Sequence, residues 1–216
     1  MNSDGSTIIK MVLSFFACAL VYLGVIELYY FSIQNPVEIE TWVEIGQETL
    51  LAVSAVLMFG AARKAPRWRG GLLLIAGFIT ALFIRELDAY FDEISHGFWK
   101  YILIAFLVVL SAFVKKASWR TIIPGIASWA RTRAGALMVV GLAMLLVYSR
   151  LYGYKGLWAT VAASMGADGT QPMSWEGFKS LGEEAAEIVA YTLVFFSCVL
   201  YRFELKGLQS ENKFIK

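Results

Sequence analysis

The chain has 216 residues, of which 58% are hydrophobic and 17% charged, and its formal net charge at pH 7 is +2. This composition excludes a soluble globular domain, and we expect no nucleic acid as a partner. Apolar runs of about 17–25 residues recur along the chain, and each is long enough to cross a hydrocarbon core of roughly 30 Å. The composition therefore predicts a protein whose main partner is the lipid bilayer.

The apolar runs predict an all-α, polytopic (multi-pass) integral membrane protein in which residues 1–216 form a single transmembrane helical domain. The six predicted membrane-spanning segments are about 8–33, 39–62, 70–92, 98–115, 134–152 and 178–202. A seventh segment, at about 118–130, is amphipathic, because its apolar residues recur at helical spacing between polar ones. It contains two tryptophans, Trp119 and Trp129, that can anchor it, which predicts a helix lying in the cytoplasmic interface of the membrane.

Charge is distributed unevenly between the two sides of this topology. With a cytoplasmic N-terminus, fourteen of the nineteen Lys and Arg residues lie on the cytoplasmic side. Fourteen of the seventeen Asp and Glu residues lie on the opposite side. The positive-inside rule therefore predicts a protein of the cell (inner) membrane with both termini in the cytoplasm.

Each of the six predicted helices carries one charged residue at a similar depth. Counted at 1.5 Å per residue from the cytoplasmic end of each helix, these residues lie about 22–26 Å above the inner boundary. They are Glu27, Glu48, Glu86, Lys100, Arg150 and Glu187. A carboxylate in hydrocarbon costs roughly 2.5–3.5 kcal/mol, so such a layer requires partners or a function.

Two helices carry matching pairs of acids one turn apart. Glu44 and Glu48 are at i and i+4, as are Glu183 and Glu187, and in each helix an arginine follows the second Glu by fifteen residues. Like charges at this spacing repel each other. Their neutralisation must therefore come from neighbouring helices, from a cation or from protonation.

Four interpretations of this carboxylate cluster remain open at the level of sequence. In the first, the charges pair with one another and fix helix packing. In the second, a cavity open to the extracytoplasmic side binds and passes protons, cations or a small cationic solute, as intramembrane acids often do. Another interpretation, which has the least support, is a metal-free carboxylate site that catalyses a reaction, although no nucleophile motif is present.

The remaining interpretation of the carboxylate cluster is a metal site. Candidate ligands are Glu44, Glu48, Asp92, His96, Glu183 and Glu187. A hard divalent cation such as Ca²⁺ or Mg²⁺ would suit oxygen ligands, and the single histidine excludes a multi-His zinc site. Asp88, Asp92 and His96 recur at every fourth residue, so they would line one face if the third helix stayed regular past Asp92.

The favoured function is transport or permeation through an acidic site in the extracytoplasmic half of the bilayer. Glu48 and Glu187 are the strongest binding candidates, because each lies about two turns into its segment and follows a second acid. The full candidate set for binding a proton, cation or substrate is Glu48, Glu187, Glu44, Glu183, Glu27, Glu86 and Asp88, with Arg85 and Arg150 as counter-ions.

Two alternatives belong to other functional classes. One is a membrane-embedded enzyme whose carboxylate site, with or without a metal, acts on a lipid or envelope substrate. The other is a non-catalytic membrane assembly subunit, for which a second copy of the chain or another membrane protein would be the partner.

Overall fold

The computed structural model of the protein describes residues 9, 12, 16, 19–20, 22–28, 30–31, 34–35, 42–164 and 175–214. Regular structure in these residues is helical, and no strand occurs among them. The chain divides into two units, Met1–Val43 and Glu44–Lys216. In the first unit residues 22–28 are helical, and the rings of Phe31 and Trp42 meet edge to face at 5.6 Å between centroids. Much of the predicted segment 8–33 lies outside the described residues, so this crossing stays a prediction.

From residue 42 onwards, the described residues form eight helices. They are α1 (Trp42–Lys64), α2 (Arg69–Glu86), α3 (Asp88–Asp92), α4 (Trp99–Ser118), α5 (Ile122–Ala130), α6 (Arg133–Tyr152), α7 (Lys155–Ser164) and α8 (Trp175–Phe214). Short 3₁₀ turns, Pro66–Trp68 and Trp119–Thr121, precede α2 and α5. The predicted third segment is thus shorter than expected, because its helix is interrupted at Leu87.

Four stretches of the described residues are long and apolar enough to cross a membrane: Trp42–Lys64, Pro66–Glu86, Arg133–Tyr152 and Gly182–Gly207. They correspond to the second, third, fifth and sixth predicted segments. A fifth crossing would need α4 and α5 together, and these two helices are bent by 92°. The described part of the protein is therefore all-helical, with four or five helices able to span a membrane, and the six-span count stays a prediction.

The segment predicted to lie in the membrane interface forms α5, which packs against the start of α2. Gly71 and Gly125 let the two backbones touch, because a Cβ on Gly71 would lie 2.6 Å from the Gly125 carbonyl carbon. The hydroxyl of Thr121 accepts a hydrogen bond from the Gly70 amide at 2.7 Å and so satisfies an N-terminal donor of α2. These contacts fix α5 on the protein, whereas its place in a membrane interface remains a prediction.

Helix α8 packs antiparallel on α6. The buried Ser197 hydroxyl donates to the carbonyl of Ala134 at 2.7 Å. One and a half to two turns later, the Glu204 carboxylate accepts from the amides of Arg133 and Ala134 at 3.3 and 3.2 Å. A carboxylate is favoured there, because the amides at a helix N-terminus carry partial positive charge. The start of α6 therefore lies beside the later part of α8, and the end of α6 lies beside the beginning of α8.

Helix α1 runs parallel to α8. The side chain of Ser54 hydrogen-bonds to the buried Cys198 thiol. Six residues later, Gly60 faces the guanidinium of Arg202, whose Nη1 would lie 3.2 Å from a Cβ at Gly60. Both contacts advance in the same direction along the two helices, so the N-terminal ends of α1 and α8 lie at the same end of this unit.

The core of the second unit is apolar, with a few buried polar residues. Fully buried apolar side chains include Leu51, Met58, Leu72, Ile79, Met138 and Val194. The buried polar or charged residues are Gln47, Ser54, Ser149, Glu187, Thr192 and Ser197. Buried polar groups need hydrogen-bond partners, and Glu187 as a buried carboxylate marks the place where the largest compensation is required.

Candidate functional site

Five charged side chains from three helices meet where α2 and α6 end and the apolar part of α8 begins. We call them the charged cluster: Arg85, Glu86, Arg150, Glu183 and Glu187. Antiparallel packing brings them together, because the last turns of α2 and α6 lie beside the first apolar turns of α8. All five residues belong to the set predicted from sequence.

The guanidinium of Arg150 bridges two carboxylates of α8. Its Nη1 donates to Glu183 Oε1 at 3.1 Å, and its Nη2 donates to Glu187 Oε1 at 2.7 Å. The two acids are one turn apart on the same helix face, so one cation on the neighbouring helix offsets the repulsion between them. Glu187 is only 7% exposed, whereas the Arg150 side chain is 49% exposed. The cost of desolvation therefore falls mainly on the carboxylate.

Glu86 has two partners in the charged cluster. It forms an ion pair with the neighbouring Arg85, and its Oε1 accepts a hydrogen bond from the Tyr191 hydroxyl at 2.6 Å. Tyr191 is fully buried, and a buried phenol hydroxyl usually needs such a partner. Because Tyr191 lies one turn beyond Glu187 on α8, this bond holds the Glu86 carboxylate near Glu187, and the two carboxylates repel each other.

A π-helical segment, Met144–Tyr148, determines where Arg150 points. In it the amide of Ser149 donates to the carbonyl of Met144, five residues back. The carbonyl of Leu145, which an α-helix would bond to this amide, accepts instead from the Ser149 hydroxyl at 2.5 Å. The extra residue in the turn rotates the rest of α6 by about 100° relative to an uninterrupted α-helix. Arg150, immediately after the segment, therefore faces α8.

The charged cluster contains two guanidiniums and three carboxylates. With all five groups ionised it carries one negative charge in excess. Asp88 interacts electrostatically with Arg85, but it is exposed and can be solvated. An excess charge in a membrane-spanning region is costly, and a bound proton or a bound cation would neutralise it.

The acids of α1 lie at the same end of the unit. Glu44 and Glu48 are half-buried in the first turns of α1. Glu48 precedes Ser54 by six residues, or about 9 Å. Because α1 and α8 are parallel and Ser54 lies beside Cys198, Glu48 is at about the level of Thr192, roughly 7 Å further along the helix axis than Glu187. Gln47, the neighbour of Glu48 in the chain, is buried, and its Nε2 has no hydrogen-bond partner among the described residues, so the start of α1 also offers an amide donor.

Asp92 and His96 close a turn after α3. Asp92 Oδ1 accepts from the Gly97 amide at 2.7 Å, and Asp92 Oδ2 is 2.9 Å from His96 Nδ1. The Gly97 amide, together with His96, holds the pKa of the Asp92 carboxyl below its ordinary value. The helix ends at Asp92, and Gly97 has a φ of +78°. The predicted helical face from Asp88 to His96 is therefore not formed, because the chain turns.

Two further charged residues of the predicted layer have other surroundings. The ammonium of Lys100 lies over the Trp99 ring, 5.7 Å from its centroid, in a cation–π contact. Glu27 belongs to the unit Met1–Val43, where it is an exposed residue of the helical stretch 22–28. Neither residue is a member of the charged cluster as defined here.

The metal interpretation finds no support in the geometry. Among the residues that the structure describes, no group of three or more His, Cys, Asp and Glu side chains is arranged to hold a metal ion. The proposed ligands are instead distributed between α1, the turn after α3, and α8. A divalent cation is therefore not included in the function proposed below.

Sequence reasoning missed two residues of the site, Tyr191 and Ser149. Tyr191 had a usable signal, because Glu183, Glu187 and Tyr191 recur at every fourth residue and so share one face of a helix. Ser149 had none, since its bond to the Leu145 carbonyl depends on the π-helical segment.

Comparisons with known proteins found no match, whether among protein-family models, curated proteins or solved structures. The charged cluster is therefore the feature of this protein that points to a function.

Proposed function

We propose that the protein transports protons or small cations across a cell membrane, and that the charged cluster is its binding site. The observation that supports this is the charge balance of the cluster. Three carboxylates meet two guanidiniums where α2 and α6 end and the apolar part of α8 begins. A purely structural network is most stable when it is neutral. A cluster with one carboxylate more than its guanidiniums is suited to taking up a positive charge.

In this proposal Glu187 and Glu86 share the transported charge. The side chains of Glu187 and Glu86 are the two most buried acids of the cluster, each 10% exposed, and the two carboxylates are close enough to repel each other. Arg150 and Arg85 neutralise two of the three acids, which leaves one proton or monovalent cation to be bound and released. The Tyr191 hydroxyl keeps the Glu86 carboxylate in place through their 2.6 Å hydrogen bond.

Glu48 is the proposed second binding group, because it lies on α1, which is parallel to α8, within about 7 Å of the level of Glu187 along the helix axis. The buried amide of Gln47 adds a polar group beside it. A charge could then pass between the first turns of α1 and those of α8. Glu44 and Glu183, each one turn nearer the end of its helix, would form the entrance.

The proposal includes the membrane topology. The chain crosses the inner membrane six times with both termini in the cytoplasm, and α5 lies in the cytoplasmic interface. The uneven distribution of Lys and Arg supports this orientation. The charged cluster then lies in the extracytoplasmic half of the bilayer.

Proteoliposomes test the proposal directly. The purified protein would be reconstituted with a pH-sensitive dye inside, and a proton or K⁺ gradient would be imposed. We expect flux above that of protein-free vesicles, and loss of most of that flux in Glu187→Gln and in Glu48→Gln. Glu93→Gln is the matched control, because Glu93 is an exposed acid outside the cluster and its replacement should leave the flux unchanged.

The results can exclude transport. Flux equal to that of empty vesicles for protons, Na⁺ and K⁺, or unchanged flux in both cluster variants, would show that the cluster does not carry ions. Equal loss in Glu93→Gln would show that the effect is not specific to the cluster.

An assembly subunit is the second candidate function, and the bridging geometry of Arg150 favours it. A guanidinium that bonds both Glu183 and Glu187 fixes the relation of α6 to α8. In that case Glu187→Gln would change co-purification of a partner protein, while reconstituted protein would show no flux.

A further inference from the structure

A pocket with two arginines lies where α5 passes the start of α2, at the opposite end of these helices from the charged cluster. Its volume is about 460 Å³, which is within the range of small-ligand sites. Its lining includes the arginines Arg67 and Arg131, the hydroxyls of Ser128 and Thr132, and the apolar surfaces of Trp68 and Pro124. It thus combines positive charge and hydroxyl groups with an apolar wall.

The pocket offers groups that can bind an anion. The Arg131 guanidinium forms no ion pair, and the Ser128 hydroxyl makes no hydrogen bond, with the residues that the structure describes. Glu204 is the carboxylate of α8 nearest this end among the described side chains, and it is already bound to two amides of α6. Positive charge in the pocket is therefore not neutralised by that acid.

Lipid headgroups are the anions that meet this part of a membrane protein. The pocket adjoins the start of the stretch Pro66–Glu86 and the start of Arg133–Tyr152, which are both long and apolar enough to span a membrane. A phosphate at this level belongs to a phospholipid whose acyl chains lie along the apolar helices. Basic pockets between helices at this level are suited to anionic headgroups.

We propose that the pocket between Arg67 and Arg131 is a binding site for the phosphate of one anionic phospholipid. In this proposal the two guanidiniums and the Ser128 hydroxyl donate hydrogen bonds to the phosphate, and the apolar wall formed by Trp68 and Pro124 contacts the glycerol and the first acyl carbons. Arginine suits this role, because its planar fork can donate two parallel hydrogen bonds to phosphate. The site is independent of the charged cluster and of the transport proposal.

Native mass spectrometry of the detergent-purified protein tests this site. The protein would be titrated with phosphatidylglycerol and, separately, with phosphatidylcholine carrying the same acyl chains. We expect one phosphatidylglycerol molecule to bind more tightly than the others. The double variant Arg67→Gln, Arg131→Gln should weaken the affinity for this molecule by about 25-fold, because each arginine near a membrane surface contributes about five-fold. The double variant Arg63→Gln, Arg120→Gln is the matched control, because both arginines are exposed and outside this pocket.

The outcomes separate a specific site from general attraction. Loss of the tightly bound phosphatidylglycerol in Arg67→Gln, Arg131→Gln, but not in the control variant, supports the proposal. Equal loss in the control variant, equal binding of phosphatidylcholine, or no tight lipid in the unchanged protein overturns it. Competition by millimolar inorganic phosphate would assign the pocket to a free anion and would overturn the lipid assignment. If the double glutamine variant does not fold, Arg67→Lys with Arg131→Lys provides the test. Lysine keeps the positive charge but lacks the planar fork of hydrogen-bond donors of arginine. Unchanged affinity for phosphatidylglycerol in that variant would exclude the proposed geometry.

Discussion

Replacing Arg150 with glutamine removes the cation that bridges Glu183 and Glu187. Removing one partner of a buried ion pair costs about 3–5 kcal/mol. The side chain of Arg150 is 49% exposed, and solvent screening of the charges that remain lowers this cost. We therefore expect Arg150→Gln to reduce the free energy of unfolding by about 2 kcal/mol.

Glu187→Gln should behave differently, because it removes the excess negative charge of the cluster. Arg150 keeps Glu183 as its ion-pair partner, and the amide of glutamine retains the shape of the lost side chain. We expect its free energy of unfolding to change by less than about 1 kcal/mol. The double variant Arg150→Gln, Glu187→Gln should recover part of the stability lost in Arg150→Gln alone, since fewer like charges remain.

The assay is reversible unfolding in mixed micelles with increasing sodium dodecyl sulfate, followed by circular dichroism and tryptophan fluorescence. The three variants and the unchanged protein would be measured at one pH and salt concentration. A loss in Glu187→Gln as large as that in Arg150→Gln would refute the reasoning, because it would mean that every carboxylate of the cluster is needed to balance the guanidiniums.

Three further predictions concern other parts of the fold. Because the pKa of Asp92 is lowered by the Gly97 amide and by His96, the stability this turn provides should be complete above about pH 5 and lost as pH falls below the ordinary Asp value of about 3.9. The protection of the Gly97 amide, measured as its hydrogen-exchange rate relative to that of an unstructured amide at the same pH, should fall over that range. Gly125→Val should lower the unfolding free energy by about 1–3 kcal/mol, because its side chain would separate α5 from α2. Ser149→Ala should cost about 1–3 kcal/mol, because it leaves a buried carbonyl without its donor.

Each of these predictions has a control on the same chain. Asp92→Asn has no titrating group at this position, so the protection of the Gly97 amide should no longer change with pH, and protection that still falls in acid would assign the effect to another group. Gly207→Ala should not destabilise the protein, because a Cβ there meets nothing within 4 Å, so equal losses at Gly125 and Gly207 would contradict close helix contact. Ser149→Thr should retain stability if the hydroxyl is what matters, and equal losses in the Ala and Thr variants would contradict that.

Length and hydropathy were enough to predict most of the long helices. The segments 39–62, 134–152 and 178–202 correspond to long apolar helices, because a continuous apolar run of this length has few other stable conformations in lipid. The third segment was predicted to reach residue 92, but its helix is interrupted at Leu87. No proline or glycine occurs near that position, so the sequence carries no local signal for the break.

The members of the charged cluster could be named from sequence, but their pairing could not. Depth counting selects Glu86, Arg150 and Glu187, because the rise of a helix is regular. Which carboxylate meets which guanidinium depends on how each helix is rotated about its axis. Arg85 pairs with its own neighbour in the chain, whereas Arg150 pairs across to α8, and this difference depends on tertiary packing.

The π-helical segment of α6 also makes the length of that helix a functional property. A chain shortened by one residue within Met144–Tyr148 could form an uninterrupted α-helix with full backbone hydrogen bonding. That helix would be locally more regular and would keep Arg150 facing α8, because the wide turn accommodates one extra residue. A one-residue deletion in Arg133–Ala143 that left the wide turn in place would instead rotate Arg150 by about 100° relative to the start of α6. A single-residue deletion within Met144–Tyr148 should therefore be tolerated better than one within Arg133–Ala143, which would separate Arg150 from Glu183 and Glu187.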